Sequence, residues 1–300
     1  MISLLAYATI KDVSGHTGLA WHTVRDIELK YLEQRYSNPD LKNLQYLALD
    51  EFAVQRGHKY MTVVMDLKSG QVVYVAKGKK ASSLDGFWKK LKRSKSKVKA
   101  VAIDMSPSFI KAVTENLPKA KIVFDWFHIV KLINDKLSKL RRQMYREEEL
   151  AGFRKTIKGT RWLLLKRGYN LNKTKGEKTR LEEALQMNKP LATMYYMKEE
   201  LVLMWEYQTK REASKFLTDW CKRATASGIK QLQSIAATLM AFRTGILNWY
   251  DAPISTGPLE GLNNKIKVLK RKAYGYRNSH FFGLQIKSMH DYKIRHSLIR

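Results

Sequence analysis

The sequence predicts an α/β protein in which a helix-covered mixed sheet is interrupted by a large all-helical insertion. Three observations predict this class. Short β-rich runs begin after residue 43 and form a meander before they alternate with helical segments. Residues 135–250 have almost no strand signal and several amphipathic helical patterns. Two helical segments joined by a Gly-containing turn precede the sheet.

The first element is a helical pair over IKDVSGHTGLAWHTVRDIELKYLEQRY. Ser14, Gly18 and Val24 provide the small residue, the turn glycine and the apolar anchor of a helix-turn-helix. We expect Trp21, Val24 and Ile27 to share the buried face of the second helix. The residues then left to meet base edges and phosphates are His22, Thr23, Arg25 and Asp26. An ordinary helical hairpin is the alternative interpretation.

The sheet follows a polar linker, SNPDLKN. Its predicted strands lie in LQYLALDEF, YMTVVMDLKSGQ, VVYVAKG, KAVAIDMS and KIVFDWFHIV. A hairpin turn at Lys68-Ser69-Gly70 separates the second strand from the third. Two helices are predicted between the later strands, one over SLDGFWKKLKRSK and one over PSFIKAVTENLP, which opens with proline. The order β-β-β-α-β-α-β-α is typical of a ribonuclease-H-like core, in which the first and fourth strands are neighbours.

We therefore predict four segments. Residues 1–36 form a helix-turn-helix, and residues 37–134 form the first part of the ribonuclease-H-like core. Residues 135–250 form the all-helical insertion, whose Trp205, Trp220 and Trp249 are expected in its core. Residues 251–300 return to the core and carry its C-terminal helices.

The charge of the chain limits its partners. Lys and Arg number 56 against 27 Asp and Glu, so the net charge is +29 and attracts a polyanion. Nucleic acid is the first candidate and an anionic membrane the second. No apolar run approaches the roughly 20 residues that span a bilayer, and MISLLAYATI lacks the features of a signal peptide. The single cysteine, Cys221, is expected to be a core thiol and excludes an internal disulfide. We expect a cytoplasmic protein.

Three carboxylates are candidates for chemistry. Asp50 ends the first strand at LALD and Asp104 ends the fourth at VAID, so neighbouring strands would bring them together. Two like charges at close range need a cation, and all-oxygen ligands suit Mg²⁺ or Mn²⁺. A pair of such ions can activate an attacking oxygen at a phosphodiester. Glu260, the lone acid at the head of STGPLEGLNNKIKVLKRKAYGYR, is the third candidate. The alternatives are a turn or capping role for each aspartate and a surface ion pair for Glu260.

Four blocks of sequence carry a resemblance to the ISL3-family transposases of bacterial insertion sequences. The blocks are LDEFAVQRGHKYMTVVMDLKSGQVVYV, AIDMSPSFIKAV, FDWFHIVKLINDKLSKLRR and STGPLEGLNNKIKVLKRKAYGYRN, and the resemblance extends over nearly the whole chain. It implies a DDE catalytic domain of ribonuclease-H-like fold, with Asp50, Asp104 and Glu260 as the triad that binds two Mg²⁺ or Mn²⁺ ions. It further implies double-stranded DNA partners, namely terminal repeats and target DNA, and a homodimer or higher oligomer in the bacterial nucleoid.

Two departures from the family pattern stand out. Family members usually begin with a cysteine-rich zinc-binding segment, which this sequence lacks, so an N-terminal truncation is expected. Thr256 stands where the family more often has Asn.

Further residues are predicted at the periphery of the site. Asp125 and His128, in FDWFH, resemble an Asp-x-x-His motif near the centre of related transposases, and the alternative is that Asp125 caps a helix above a packed His128. Glu51 and Asp66 are expected to be poorer ligands, because Glu51 alternates to the opposite side of the strand and Asp66 precedes a hairpin turn. The remaining predicted DNA contacts are Arg56, His58, Lys59, Lys265, Lys267, Lys270, Arg271, Lys272 and Arg277.

The leading functional hypothesis is a transposase that performs metal-dependent strand cleavage and strand transfer. Water would free a 3′-hydroxyl at the element end, and that hydroxyl would attack the target phosphodiester. A catalytically silent DNA-binding repressor and a ribonuclease-H-like nuclease are the alternatives.

Overall fold

The computed structural model describes residues 1–55, 59–147, 157–172 and 174–290, with the side chain of Gln55 excepted. The chain divides into two compact units. One unit combines Met1–Val123 with Ile254–Arg300, and the other is Phe124–Pro253. No helix in the described parts of the chain is long and apolar enough to cross a membrane. The predicted four-segment division stays a prediction.

The N-terminus of the first unit consists of three helices, α1 (Ile2–Leu5), α2 (Ile10–Thr17) and α3 (Trp21–Tyr36). Thr9 and Asp12 form a reciprocal capping box at the start of α2. Gly18 ends that helix with a φ of 72°, a left-handed conformation that favours glycine. The predicted helical pair and its glycine turn are therefore present.

The predicted buried face of α3 is wrong at two of its three positions. Val24 is fully buried, but Trp21 is 49% exposed and Ile27 is 39% exposed. The buried face runs in steps of four residues, through Val24, Glu28, Leu32 and Tyr36. The second half of α3 packs against Phe281 and Leu284, so this longer contact, rather than the α2–α3 turn alone, sets the rotation of the helix.

A five-stranded mixed sheet forms the centre of the first unit, which confirms the predicted α/β class. Its strands are β1 (Tyr46–Gln55), β2 (Lys59–Asp66), β3 (Val72–Lys77), β4 (Ala100–Ile103) and β5 (Lys121–Phe124). They lie in the order β3-β2-β1-β4-β5. The first three strands are antiparallel, whereas β1 and β4 are parallel neighbours. The first and fourth strands are thus adjacent, as predicted.

Two helices lie between the later strands, α4 (Asp85–Ser94) after a 3₁₀ turn at Ala81–Leu84, and α5 (Pro107–Asn116). The predicted apolar stripe is confirmed, since Leu84, Phe87, Trp88 and Leu91 are all buried. Asp66 holds the β2–β3 turn, because its carboxylate accepts hydrogen bonds from the backbone N–H groups of Lys68 and Ser69. Its expected turn role is therefore confirmed.

The second unit is helical within its described residues. Its helices are α6 (Trp126–Glu147), α7 (Arg161–Leu165), α8 (Glu177–Gln186), α9 (Lys189–Val202), α10 (Lys210–Ala226), α11 (Lys230–Ala241) and α12 (Arg243–Leu247). Trp220 is fully buried and its Nε1–H donates to the Met197 carbonyl at 3.0 Å. Cys221 is buried as expected, and burial raises the pKa of its thiol to about 11. Trp205 and Trp249 are only half-buried.

Two C-terminal helices, α13 (Gly257–Lys272) and α14 (Ser279–Ser288), complete the first unit. Leu259, Leu262 and Ile266 of α13 and Phe282 and Ile286 of α14 pack on one face of the sheet. That face is formed by the side chains of Ala48, Phe52, Val63 and Ala102. This apolar contact fixes α13 over the strands that carry the first two predicted carboxylates.

The aromatic residues near α14 are mostly core. Phe281 is 7% exposed and Phe282 is fully buried, and Tyr276 stacks on Phe282 with ring centroids 4.5 Å apart. Tyr274 is the exception, since it is fully exposed. Of Tyr274, Tyr276, Phe281 and Phe282, only Tyr274 therefore presents its ring fully to solvent.

Candidate active site

Asp50 lies in the middle of β1, not at its end. The predicted strand stopped at Asp50, but β1 continues to Gln55. The strand extends because β2 pairs with it along this whole length, from Leu47 opposite Asp66 to Gln55 opposite Lys59. The charged residue in the apolar run therefore marks a site within the strand.

Asp50 and Asp104 share one face of the sheet and one level along it. In the parallel β1–β4 pair, Ala48 lies opposite Ala102. Two residues further on, Asp50 in β1 is matched by Asp104, directly after β4. Side chains two residues apart point to the same face, and adjacent strands lie about 4.8 Å apart. Both aspartates therefore follow the apolar residues that face α13.

The two carboxylates have local hydrogen bonds. Oδ1 of Asp50 accepts from the Glu51 N–H at 2.8 Å. Oδ1 of Asp104 accepts from the Ser106 N–H at 3.0 Å, in the turn before α5. Asp104 thus takes the turn role that was its alternative interpretation, and the bond leaves its second oxygen to face other partners.

Glu51 is electrostatically coupled to both aspartates. Burial raises the pKa of Glu51, Lys79 opposes that rise, and the negative charges of Asp104 and Asp50 add to it. The strand continues, so Glu51 does alternate away from Asp50 as expected. The Glu51 carboxylate nevertheless interacts electrostatically with the carboxylates of Asp104 and Asp50. The alternation of β1 predicted the orientation of Glu51 but not this interaction with the two aspartates.

Asn263 of α13 is the helical residue that meets Asp50. Its Nδ2 donates to Oδ2 of Asp50 at 2.7 Å. Its own Oδ1 is buried and has no hydrogen-bond partner in the described part of the chain. An unsatisfied buried amide oxygen costs free energy unless a cation or a donor reaches it. Sequence reasoning missed Asn263, although its position three residues after Glu260 places both on neighbouring turns of one helix face.

Glu260 lies one helical turn before Asn263. A second contact, from Lys270 Nζ to the Ala53 carbonyl at 3.1 Å, shows that α13 runs alongside β1 in the same direction. Three residues of helix correspond to about 4.5 Å along the helix axis. The backbone of Glu260 is therefore displaced by roughly that distance toward the N-terminus of α13 from Asn263, the residue that contacts Asp50. Its side chain is exposed at the N-terminal turn of the helix.

The three predicted ligands do not form a closed cluster. Across residues 1–55, 59–147, 157–172 and 174–290, no three His, Cys, Asp or Glu side chains are grouped closely enough to hold a metal ion. The β1–β4 register, extended by two residues, puts Asp104 level with Asp50, and Glu260 lies on α13, which packs on the same face of the sheet. Their assignment as a shared metal site stays a prediction.

Asp125 and His128 belong to the second unit. Asp125 is 2% exposed, and its Oδ1 accepts from the Phe127 N–H at 3.0 Å, as a cap at the start of α6. His128 is half-buried, with its ring 5.9 Å from that of Phe127 in an edge-on arrangement. The capping alternative for Asp125 is therefore present, and an auxiliary role for the pair stays a prediction.

The predicted DNA-contacting residues differ in accessibility. Arg56 and His58 lie outside the described residues. The exposed members of the set are His22, Lys59, Lys265, Lys267, Arg271 and Arg277, while Thr23, Arg25, Lys270 and Lys272 are half-buried. Arg25 is paired with Asp26. Burial lowers the pKa of Lys272, and the carboxylates of Asp12 and Glu28 oppose that change, so this lysine faces the N-terminal helices.

A family model and curated relatives that match most of the chain are transposases. The model of the DDE-type ISL3 family, described as transposase, matches residues 47–286. The chain is 36% identical to the transposase for insertion sequence element IS1001 of Bordetella parapertussis, over 95% of this chain and 70% of the relative. It is 26% identical to the transposase for insertion sequence element IS1557 of Mycobacterium tuberculosis, over 87% of this chain and 63% of the relative.

A solved structure is also similar, the Drosophila P element transposase strand transfer complex. The match has a TM-score of 0.41 and 12% sequence identity, and it covers 86% of this chain and 79% of the other. A similarity at that level supports no argument about the fold or the activity of this chain.

Proposed function

Because the chain belongs to the ISL3 family of DDE-type transposases, we propose that it cleaves the ends of a bacterial insertion sequence and joins them to target DNA. The observation that carries the proposal is the β1–β4 register, which puts Asp50 and Asp104 level on the sheet face beneath α13. We propose a ribonuclease-H-like core, with Glu260 as the third carboxylate. The N-terminal helical pair would recognise element ends.

The donor set fits a hard divalent cation. Every proposed ligand offers oxygen, which Mg²⁺ and Mn²⁺ prefer. Two like charges on adjacent strands are stabilised by a cation between them. The buried Oδ1 of Asn263, beside Asp50, has no hydrogen-bond partner among the residues that the structure describes. A divalent ion held by Asp50, Asp104 and Glu260 would neutralise charge at the phosphodiester and make the attacking oxygen more acidic.

The chain's own side chains have separate tasks in this proposal. Asn263 and the Glu51 N–H fix both oxygens of Asp50, so that carboxylate is oriented before DNA arrives. The exposed cations of α13 and the segment after it would hold the DNA backbone, since neutralising phosphates releases counterions. These exposed residues are Lys265, Lys267, Arg271 and Arg277.

The test is a strand-transfer assay with Mn²⁺ and DNA that carries the ends of the insertion sequence. Asp104→Ala should abolish cleavage and joining, whereas Glu115→Gln, an exposed carboxylate on α5, should keep them. Equal activity of the wild type and Asp104→Ala would remove the proposed site. Nicked DNA without joined product would favour a nuclease, and binding without any cleavage would favour a DNA-binding repressor.

Glu260 is tested by Glu260→Gln in the same assay. This variant should lose cleavage while its affinity for end DNA stays nearly unchanged, because the substitution removes one negative charge without changing the shape of the side chain. A large loss of affinity would instead assign Glu260 a structural role in α13. Measuring DNA affinity at several salt concentrations would check the phosphate contacts, because loss of such a contact makes the plot of log affinity against log salt concentration less steep.

A further inference from the structure

The second unit presents two aromatic side chains to solvent within eight residues. Trp162 is 65% exposed and Tyr169 is 75% exposed. Each carries an arginine: the Arg161 guanidinium lies 4.8 Å from the Trp162 ring centroid, and that of Arg167 lies 5.7 Å from the Tyr169 ring. Arg167 also donates to the Tyr169 hydroxyl at 3.0 Å. Exposed aromatic faces paired with cations are suited to stacking on a π-system that carries negative charge nearby.

The backbone of this segment is held from beneath by a buried lysine. Lys198 of α9 is 3% exposed, and its Nζ donates to the carbonyls of Leu164 and Lys166, both at 2.9 Å. The same ammonium pairs with Glu199 at 2.7 Å. Burying a charge is costly unless it is paired and hydrogen-bonded, and here the carbonyls it satisfies belong to the stretch between the two aromatic residues.

Two carboxylates hold the rest of the segment. Glu199 accepts from the Gly168 N–H at 2.9 Å. Glu177 accepts from Lys166 Nζ at 2.7 Å and from the Asn172 N–H at 2.8 Å. The backbone from Leu164 to Asn172 is therefore fixed by charged groups of α8 and α9.

This construction points to a binding surface rather than to a connecting loop. Leu163 and Leu164 face the core and are buried, so the segment has an apolar anchor without help from its exposed rings. Rigid support lowers the entropy lost when a ligand orders the rings. Charge defines the ligand: between residues 157 and 180 the only acid is Glu177. The basic residues in that stretch are Lys158, Arg161, Lys166, Arg167, Lys173, Lys175, Lys178 and Arg180.

We propose that the segment Arg161–Asn172 binds single-stranded DNA, with unpaired bases stacked on Trp162 and Tyr169 and phosphates held by the adjacent arginines. A single strand is inferred because the base faces of a duplex are covered by their neighbours, whereas unpaired bases stack freely on aromatic side chains. The inference rests on the proposed function for its choice of nucleic acid. It adds an unpaired segment of the DNA substrate as the ligand of the second unit.

The test measures binding of the whole chain to labelled 20-nucleotide oligothymidine and to a 20-nucleotide abasic strand, by fluorescence anisotropy in high salt and without metal. The wild type should bind the base-containing strand more tightly, because the abasic strand offers phosphates alone. Trp162→Ala and Tyr169→Ala should each weaken oligothymidine binding about 5- to 150-fold, the range for loss of one stacked base. Both should leave abasic-strand binding within about twofold.

Matched variants separate stacking from other effects. Tyr169→Phe keeps the ring and should keep the affinity, and Tyr196→Ala, at an exposed tyrosine of the same unit, should bind as the wild type does. Unchanged oligothymidine binding in Trp162→Ala and Tyr169→Ala would overturn the proposal. A loss of affinity in Tyr169→Phe equal to that in Tyr169→Ala would also overturn it. Binding of polyglutamate that is as tight as oligothymidine binding and depends on Trp162 would overturn it too, and would indicate an acidic peptide ligand.

The outcome is separable from that of the strand-transfer assay. Base-dependent binding that requires Trp162, in a chain that neither cleaves nor joins DNA, would retain this surface and reject the proposed activity. Strand transfer without any base-dependent binding would retain the proposed activity and reject this binding surface.

Discussion

Lys287 offers a test of how the N-terminal helices are joined to the core of the first unit. The side chain is half-buried in α14, and its Nζ donates to the Tyr36 carbonyl at 3.2 Å at the end of α3. Burial, and secondarily the positive charge of Lys90, lowers the pKa of Lys287 from 10.5 to about 8. The charged form that exists at pH 7 is therefore disfavoured in the folded state.

The magnitude follows from the pKa. A difference of about 2.5 pH units corresponds to at most about 3.4 kcal/mol at pH 7, and water at the half-buried site reduces that value. Losing the hydrogen bond to Tyr36 costs about 1 kcal/mol. We therefore expect Lys287→Met to raise the free energy of unfolding by about 1–2 kcal/mol at pH 7.

The difference in stability between Lys287→Met and the wild type should depend on pH. Between about pH 8 and 10.5 the unfolded chain keeps the Lys287 proton while the folded chain has lost it, so wild-type stability rises with pH in this window. Urea unfolding followed by circular dichroism should show the advantage of Lys287→Met as constant below about pH 8 and lost by about pH 10.5. Lys89→Met, at an exposed lysine, is the control. A Lys287→Met variant less stable than the wild type at every pH would refute the reasoning.

Three further predictions concern other parts of the chain. Glu28→Gln should raise the free energy of unfolding at pH 7 but not near pH 4, because burial raises the pKa of Glu28 and its charged form therefore costs stability above that pKa. The hydrogen bond from Gln285 is kept in the variant. Urea titrations at both pH values measure the gain in stability, and an equal gain at both would contradict the prediction. Gly245→Ala should lower the free energy of unfolding, measured by urea denaturation, by about 1–3 kcal/mol, because the added Cβ would lie 2.3 Å from the Phe124 ring. Gly261→Ala is the control, since its Cβ meets nothing within 4 Å and alanine in place of a helical glycine should raise the free energy of unfolding by up to about 1 kcal/mol. Asn263→Ala should weaken Mn²⁺ binding, measured by electron paramagnetic resonance, by about tenfold or more, which is the typical loss when a residue that orients a metal ligand is removed. Asn264→Ala, at an exposed neighbour, is the control. Equal Mn²⁺ affinity in the two variants would exclude a role for Asn263 at the site.

Much of the fold was predictable because it depends on local pattern. Alternating β-rich runs, the turn at Lys68-Ser69-Gly70 and the stripe Leu84–Leu91 are encoded within windows of about ten residues, and each appears in the structure. The predictions that were wrong involve contacts made at a distance. Trp21 and Ile27 are exposed because α3 turns its buried face toward α14. Asp50 lies mid-strand because β2 extends the pairing beyond the apolar run.

The sequence by itself determined the charge of the chain, its family, the mixed α/β class and the adjacency of the strands that carry Asp50 and Asp104. Only the tertiary structure decided which residue of α13 meets Asp50. That residue is Asn263 and not Glu260, because the register of a helix on a sheet is set by the packing of Leu259, Leu262 and Ile266 against distant strands. Such packing joins residues more than 200 positions apart, and no local pattern in the sequence encodes it.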